Sequence, residues 1–185
     1  MKIKGTGLKT TQDFVKTEFE NGFQNWLNSL PEESKKHYQS TINISAWYPL
    51  KEGFLDPLDK IIELFYNNDV KSGAEAVGRY SAEIALKGVY KVFLLVATTA
   101  FLIKRASKII ATYYDPSEVE AYDTSKKSAT IRIIRFPEIN LPLEIRIAAW
   151  CQKALKLTGC SDVQYDIKKS LVKNDQYTEI VFNWN

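Results

Sequence analysis

The chain has 185 residues and carries 25 basic against 22 acidic side chains, a net charge of +3. With 45% hydrophobic residues, among them 4 Trp, 10 Tyr and 9 Phe, it can build a core without disulfides or a metal, which excludes a disordered chain. Acids are interleaved with bases even in the last 85 residues, 13 basic and 10 acidic, so no concentrated basic face is available to a nucleic acid.

In chain order, the first fourteen residues, Met1 to Phe14, lack an apolar core, so no signal peptide is expected. Helical spacing of Phe14, Val15, Phe19, Phe23, Trp26 and Leu27 predicts a first helix over Thr11 to Asn28, capped by Thr10 or Thr11. Leu30-Pro31-Glu32-Glu33 opens a short second helix that fades near Thr41, because proline suits a first turn. Trp47-Tyr48-Pro49-Leu50 reads as extended. Asp56-Pro57 starts a third helix to Tyr66, with Leu58, Ile61, Ile62 and Phe65 facing the core, and Asn67-Asn68-Asp69 is a turn.

A fourth helix, Val70 to Leu86, is rich in small residues (Gly73, Ala74, Gly78, Ser81, Ala82, Ala85) that let a neighbouring backbone come close. A fifth, Gly88 to Tyr113, is nearly all apolar up to Lys104, as expected of a helix enclosed by protein. Its uncharged run, Val92 to Ile103, is shorter than the ~20 residues of a membrane span, so a cytoplasmic chain is expected. Beyond Asp115-Pro116 the pattern changes. Strands are predicted over 119–122, 130–136, 163–167 and 178–184, with one helix from Leu143 to Leu157 stopped by Gly159. Lys126-Lys127 reads as a hairpin tip, and Trp150 and Trp184 as core.

The fold class is therefore α+β. An N-terminal bundle of about five helices precedes a four-stranded antiparallel sheet with one inserted helix (ββαββ). The expected organisation is a single domain spanning residues 1–185, helical over residues 1–115 and sheet-forming over residues 116–185.

The chemistry-bearing residues are few. One histidine, His37, and two cysteines, Cys151 and Cys160, give no zinc-ligand cluster, and phosphate-loop, dinucleotide and nucleophile-elbow motifs are absent. No catalytic residue, metal or cofactor is expected. Glu75, Arg79 and Glu83 are four apart and share a helix face. They form either a surface ladder of ion pairs or a polar cluster at a pocket, with Arg79 as anchor for an acidic head group. Tyr80, Tyr90, Tyr113 and Tyr114 are core or pocket lining. The candidate ligand-binding set is Arg79, Tyr80, Glu83 and Tyr90.

Several short motifs resemble a myxobacterial paralogous family of unknown function. They are Gly5-Thr6-Gly7-Leu8, Leu30-Pro31-Glu32-Glu33, Trp47-Tyr48-Pro49, Gly78-Arg79-Tyr80-Ser81-Ala82-Glu83, Tyr113-Tyr114-Asp115-Pro116 and the closing Trp184. That family is distantly similar to the haem nitric-oxide-binding and four-vinyl-reductase domains, bacterial domains in which a helical bundle packs on a four-stranded sheet. The resemblance implies a sensor, adaptor or assembly role. The chain departs from both patterns. The haem-binding relatives use a proximal histidine on a helix beside the sheet and a Tyr-x-Ser-x-Arg motif, whereas His37 lies in an early charged segment and Arg79-Tyr80-Ser81 is not that motif. The reductase type carries cysteine at a turn that here reads Asn174-Asp175-Gln176-Tyr177-Thr178. The leading expectation is a non-catalytic domain for a small apolar or acidic ligand. The alternative is an interaction module forming a homodimer, and an enzyme using Glu75 and Glu83 stands behind both.

Overall fold

The computed structural model describes residues 1–87 and 99–185. The chain begins with a short strand, β1 (Lys2–Lys4), and runs directly into α1 (Gly5–Glu18), α2 (Gly22–Ser29) and α3 (Glu32–Gln39). Strand β2 (Trp47–Pro49) leads through a π-helical turn, Lys51–Leu55, into α4 (Asp56–Tyr66) and then α5 (Val70–Lys87). After the undescribed stretch come α6 (Thr99–Tyr113), β3 (Tyr114–Asp115), β4 (Glu118–Thr124) and β5 (Ser128–Arg135). Helix α7 (Leu141–Leu157), β6 (Gln164–Lys169) and β7 (Thr178–Asn183) complete the chain.

The segment after Pro116 is the ββαββ unit expected from the sequence. Its sheet has the order β4-β5-β7-β6, antiparallel throughout. Ala129, Ile131, Ile133, Ile180 and Phe182 are buried on one face, with the period of two expected of a half-buried strand. Helix α7 lies between that face and α5. The Asn140 side chain caps it by accepting from Leu143 N at 3.0 Å, and Gly159, at φ +96°, supplies the left-handed residue beyond its end.

Two expectations for the N-terminal portion need correcting. It is not all-helical: β1 pairs antiparallel with β2 and β3, placing Ile3 opposite Tyr48 and Tyr114. The extended reading of Trp47-Tyr48-Pro49 is β2, whereas β1 and β3, of three and two residues, are too short to show a period. The first helix also starts at Gly5, not Thr11, and breaks after Glu18. Asn21 adopts φ 62°, while the Phe19 ring stacks on Phe65 at 4.0 Å between centroids. Thr10 and Thr11 sit inside α1 and donate to the carbonyls of Thr6 and Gly7. The N-terminus is tied down by the loop before β2, where Gly5 N and Thr6 N donate to the carbonyls of Ala46 and Ile44. A Cβ on Gly5 would come within 2.0 Å of the Asn43 carbonyl oxygen, so this approach requires glycine.

Of the small residues of α5, Gly73 faces Ile62 and Tyr66 of α4, and Gly78 lets α7 come close. A Cβ on Gly78 would stand 2.5 Å from the Arg146 carbonyl oxygen and 3.1 Å from the Ala149 Cβ. Gly78→Ala should therefore cost about 1–2 kcal/mol, because helix separation outweighs the ~1 kcal/mol of helix propensity gained. A urea midpoint that stays or rises would show that the two helices can part freely.

Among the described residues, hydrophobic packing is continuous from Ile3 in β1 to Trp184. No described helix is long and apolar enough to cross a membrane.

Candidate functional site

Helix α7 is apolar around most of its circumference, from Leu143 to Leu155, so the polar residues within it are buried with it. Glu144 and Arg146 are two apart and point to different sides. Glu144 turns toward the ends of β6 and β7, where its carboxylate accepts from Ser170 Oγ at 2.8 Å and from Thr178 Oγ1. Arg146 turns toward the N-terminal portion of the chain, and its side chain ends among α1, α5, α6 and β3.

Those elements leave a cavity of about 280 Å³. Thr6, Gly7 and Thr10 of α1, Ser81, Ile84 and Ala85 of α5, and Ile109, Ile110 and Tyr113 of α6 line it. Tyr114 of β3 and Arg146, Ile147 and Trp150 of α7 close it. The walls are mostly aliphatic and aromatic, with hydroxyls and one guanidinium, the mixture typical of small-molecule sites.

Arg146 is 6% exposed. It donates from Nη1 to the Tyr114 hydroxyl at 2.5 Å and from Nη2 to Ser81 Oγ at 3.2 Å, with the Phe54 ring 4.7 Å from its Cζ. All of these partners are neutral. Its Nε is buried without an acceptor. No described carboxylate pairs with it, and the stretch 88–98 contains neither Asp nor Glu. Burial holds the Tyr114 phenol above its ordinary range, and the neighbouring Arg146 cation works against that shift.

Of the residues singled out in the sequence, Tyr113 and Tyr114 are on the cavity wall, whereas Arg79, Tyr80 and Glu83 lie elsewhere. Arg79 is 42% exposed and donates to Glu75 at 2.8 Å. Glu83 pairs with Lys153 of α7 at 3.1 Å. Tyr80 meets the Phe14 ring edge-on at 5.3 Å, with its hydroxyl 3.3 Å from Thr17 Oγ1. None of the three is on the cavity wall, although their neighbours Ser81, Ile84 and Ala85 are. Tyr90 lies outside the described residues. On this geometry Arg79→Ala should move the urea midpoint by less than about 1 kcal/mol, the range of an exposed pair.

Glu75 does more than carry Arg79. Burial pushes its carboxyl up, but donation from Tyr165 at 2.6 Å and from Arg79 more than offsets this and holds it below its ordinary 4.5. A depressed folded pKa contributes stability present above the unfolded value and lost as pH falls through the folded one. Tyr165→Phe should cost about 1 kcal/mol at neutral pH and shrink the stability loss seen below about pH 4.5. Parallel urea melts at pH 7 and pH 3 measure both effects, and an unchanged acid-side loss would contradict the assignment.

The described cavity residues do not supply the histidine that the sequence resemblance calls for to hold a haem iron. The sole histidine, His37, is on α3 and packs edge-on against Tyr48, away from the cavity. Cys151 is buried on the sheet side of α7, with its thiol pushed up to about 12 by burial. Among the described residues, no three His, Cys, Asp or Glu side chains converge to hold a metal.

No family model matches the chain, and no curated protein matches it. Solved structures do. An H-NOX protein from S. oneidensis in the Fe(II)NO ligation state superposes with a TM-score of 0.74 at 10% identity, over 99% of each chain. The Fe(II) unliganded H-NOX protein from K. algicida gives 0.70 at 10% identity, over 99% of this chain and 97% of that one. A mutant of the T. Tengcongensis H-NOX gives 0.68 at 12% identity, over 99% of this chain and 98% of that one. The chain has the H-NOX fold from end to end.

Proposed function

We propose that this chain is a non-catalytic, cytoplasmic, sensor-type domain that binds a small molecule in the cavity between α1, α5, α6 and α7. The observation that carries this reading is a 280 Å³ space with apolar walls and a buried guanidinium on one side. Concave spaces with apolar walls and a few convergent polar groups are where small ligands sit. The H-NOX fold adds support, since the solved neighbours are described by the ligation state of their iron. With no histidine, cysteine or methionine among the described lining residues, the ligand of this reading is an organic molecule held directly by protein. Arg79, Tyr80 and Glu83 then serve to seat α5 against its neighbours, and the polar contact passes to Arg146.

The test is a thermal-shift panel of small acids, amides, alcohols and aromatics on the wild type and on Ala85→Phe, which places a ring in the cavity. Compounds that raise Tm for the wild type and not for Ala85→Phe are expected. Equal shifts in both proteins would mean that ligands bind elsewhere.

A further inference from the structure

We infer that the cavity is selective for a compact monocarboxylate of about nine non-hydrogen atoms in all, an apolar body with one anionic head, and that Arg146 is the residue that reads the charge. This rests on the cavity being the ligand site and adds the chemical class of the ligand. The size follows from the volume: 280 Å³ holds on the order of nine groups at ~30 Å³ per water-sized group.

The charge follows from what Arg146 lacks. A guanidinium taken out of water is normally matched by a carboxylate, because its desolvation is otherwise uncompensated. Arg146 is more than nine-tenths buried and holds only two hydroxyls and a ring face. Its Nε–H has no acceptor at all. Nε–H together with one terminal N–H is the fork that accepts a carboxylate in bidentate fashion. The missing counter-ion is therefore expected from outside the chain.

The wall argues for one charge and no more. Among the described lining residues Arg146 is the only ionisable cation, so a phosphate would bring a second negative charge with nothing to meet it. Ile109, Ile110, Ile147 and Trp150 offer the rest of the ligand an apolar bed. The Tyr114 and Ser81 hydroxyls hold the guanidinium in place. Arg146 is then a specificity residue, and the cavity walls supply the remaining affinity.

The experiment is calorimetric titration of octanoate and of its neutral counterpart octanol into the full chain and three variants. The wild type is expected to bind octanoate at least tenfold more tightly than octanol. Arg146→Met should erase that preference while still binding octanol, Arg146→Lys should retain part of it, and Ala85→Phe should bind neither probe. Equal binding of octanol and octanoate by the wild type would overturn the carboxylate class and leave the cavity standing. A preference that survives Arg146→Met would do the same. No binding of either probe to the wild type, or wild-type binding of both by Ala85→Phe, would overturn the inference together with the reading beneath it.

Discussion

Arg146→Met should make the ligand-free protein more stable, by about 1–3 kcal/mol. The arginine gives up two hydrogen bonds to neutral hydroxyls, worth ~1 kcal/mol each. Against that stands the desolvation of an ion that is 6% exposed and has no carboxylate partner, several kcal/mol by general experience. Methionine has a stem of similar length, fills irregular space and brings no charge. The hydroxyls it leaves behind keep other options. Ser81 Oγ already donates to the Gly78 carbonyl, and Tyr114 faces the cavity, where water can reach it. At roughly 2–4 °C per kcal/mol for a chain of this size, Tm should rise by several degrees. A residue retained at a cost in stability is retained for something else, and functional sites are where such conflicts collect. A Tm that falls by several degrees would mean that Arg146 is a structural strut.

Thr178→Val should be the most damaging of the conservative changes, costing about 3 kcal/mol. The two side chains have nearly the same shape, so no cavity is opened. Thr178 is fully buried, donates to the Glu144 carboxylate and accepts from Leu171 N at 3.0 Å. Valine does neither. It leaves a buried carboxylate with Ser170 as its remaining side-chain donor and strands a backbone N–H at the turn before β7. An unsatisfied buried group costs ~1–3 kcal/mol and a charged one more. Glu144 links α7 to the ends of β6 and β7, so the loss should appear as earlier global unfolding and not as local fraying. A urea midpoint within experimental error of the wild type would show that the carboxylate is satisfied some other way. Thr178→Ser, which keeps the hydroxyl, should recover most of the loss.

Much of the fold was legible in the sequence because its signals are local. Proline-led starts marked α3 and α4, β-branched content marked β5, alternation marked β6 and β7, and Gly159 marked the end of α7. The three-stranded sheet was not legible. It joins segments from the start, middle and end of the N-terminal portion; only Trp47-Tyr48-Pro49 was legible as extended, and nothing local says which segments it pairs with.

The site followed the same logic. Helical spacing brought Glu75, Arg79 and Glu83 onto one face, but it could not say that Tyr165, far away in sequence, and Lys153 of α7 would complete their pairing at the surface of α5. Arg146 was passed over because a single arginine inside an apolar helix makes no motif. The available signal was the helix itself. From Leu143 to Cys151 it is apolar on nearly every side, so a charge within it had to be buried and its counter-ion had to be sought. Searching the sequence for polar residues inside all-round apolar helices, and not for charges at matching spacing, would have found both Glu144 and Arg146.

Native mass spectrometry of the freshly purified chain, wild type beside Ala85→Phe, tests the ligand site most directly. The wild type is expected to carry a single non-covalent adduct of small-acid mass, released on denaturation and absent from Ala85→Phe. Bare protein mass for the wild type, or the same adduct on both proteins, would contradict a ligand held in the cavity beside Arg146.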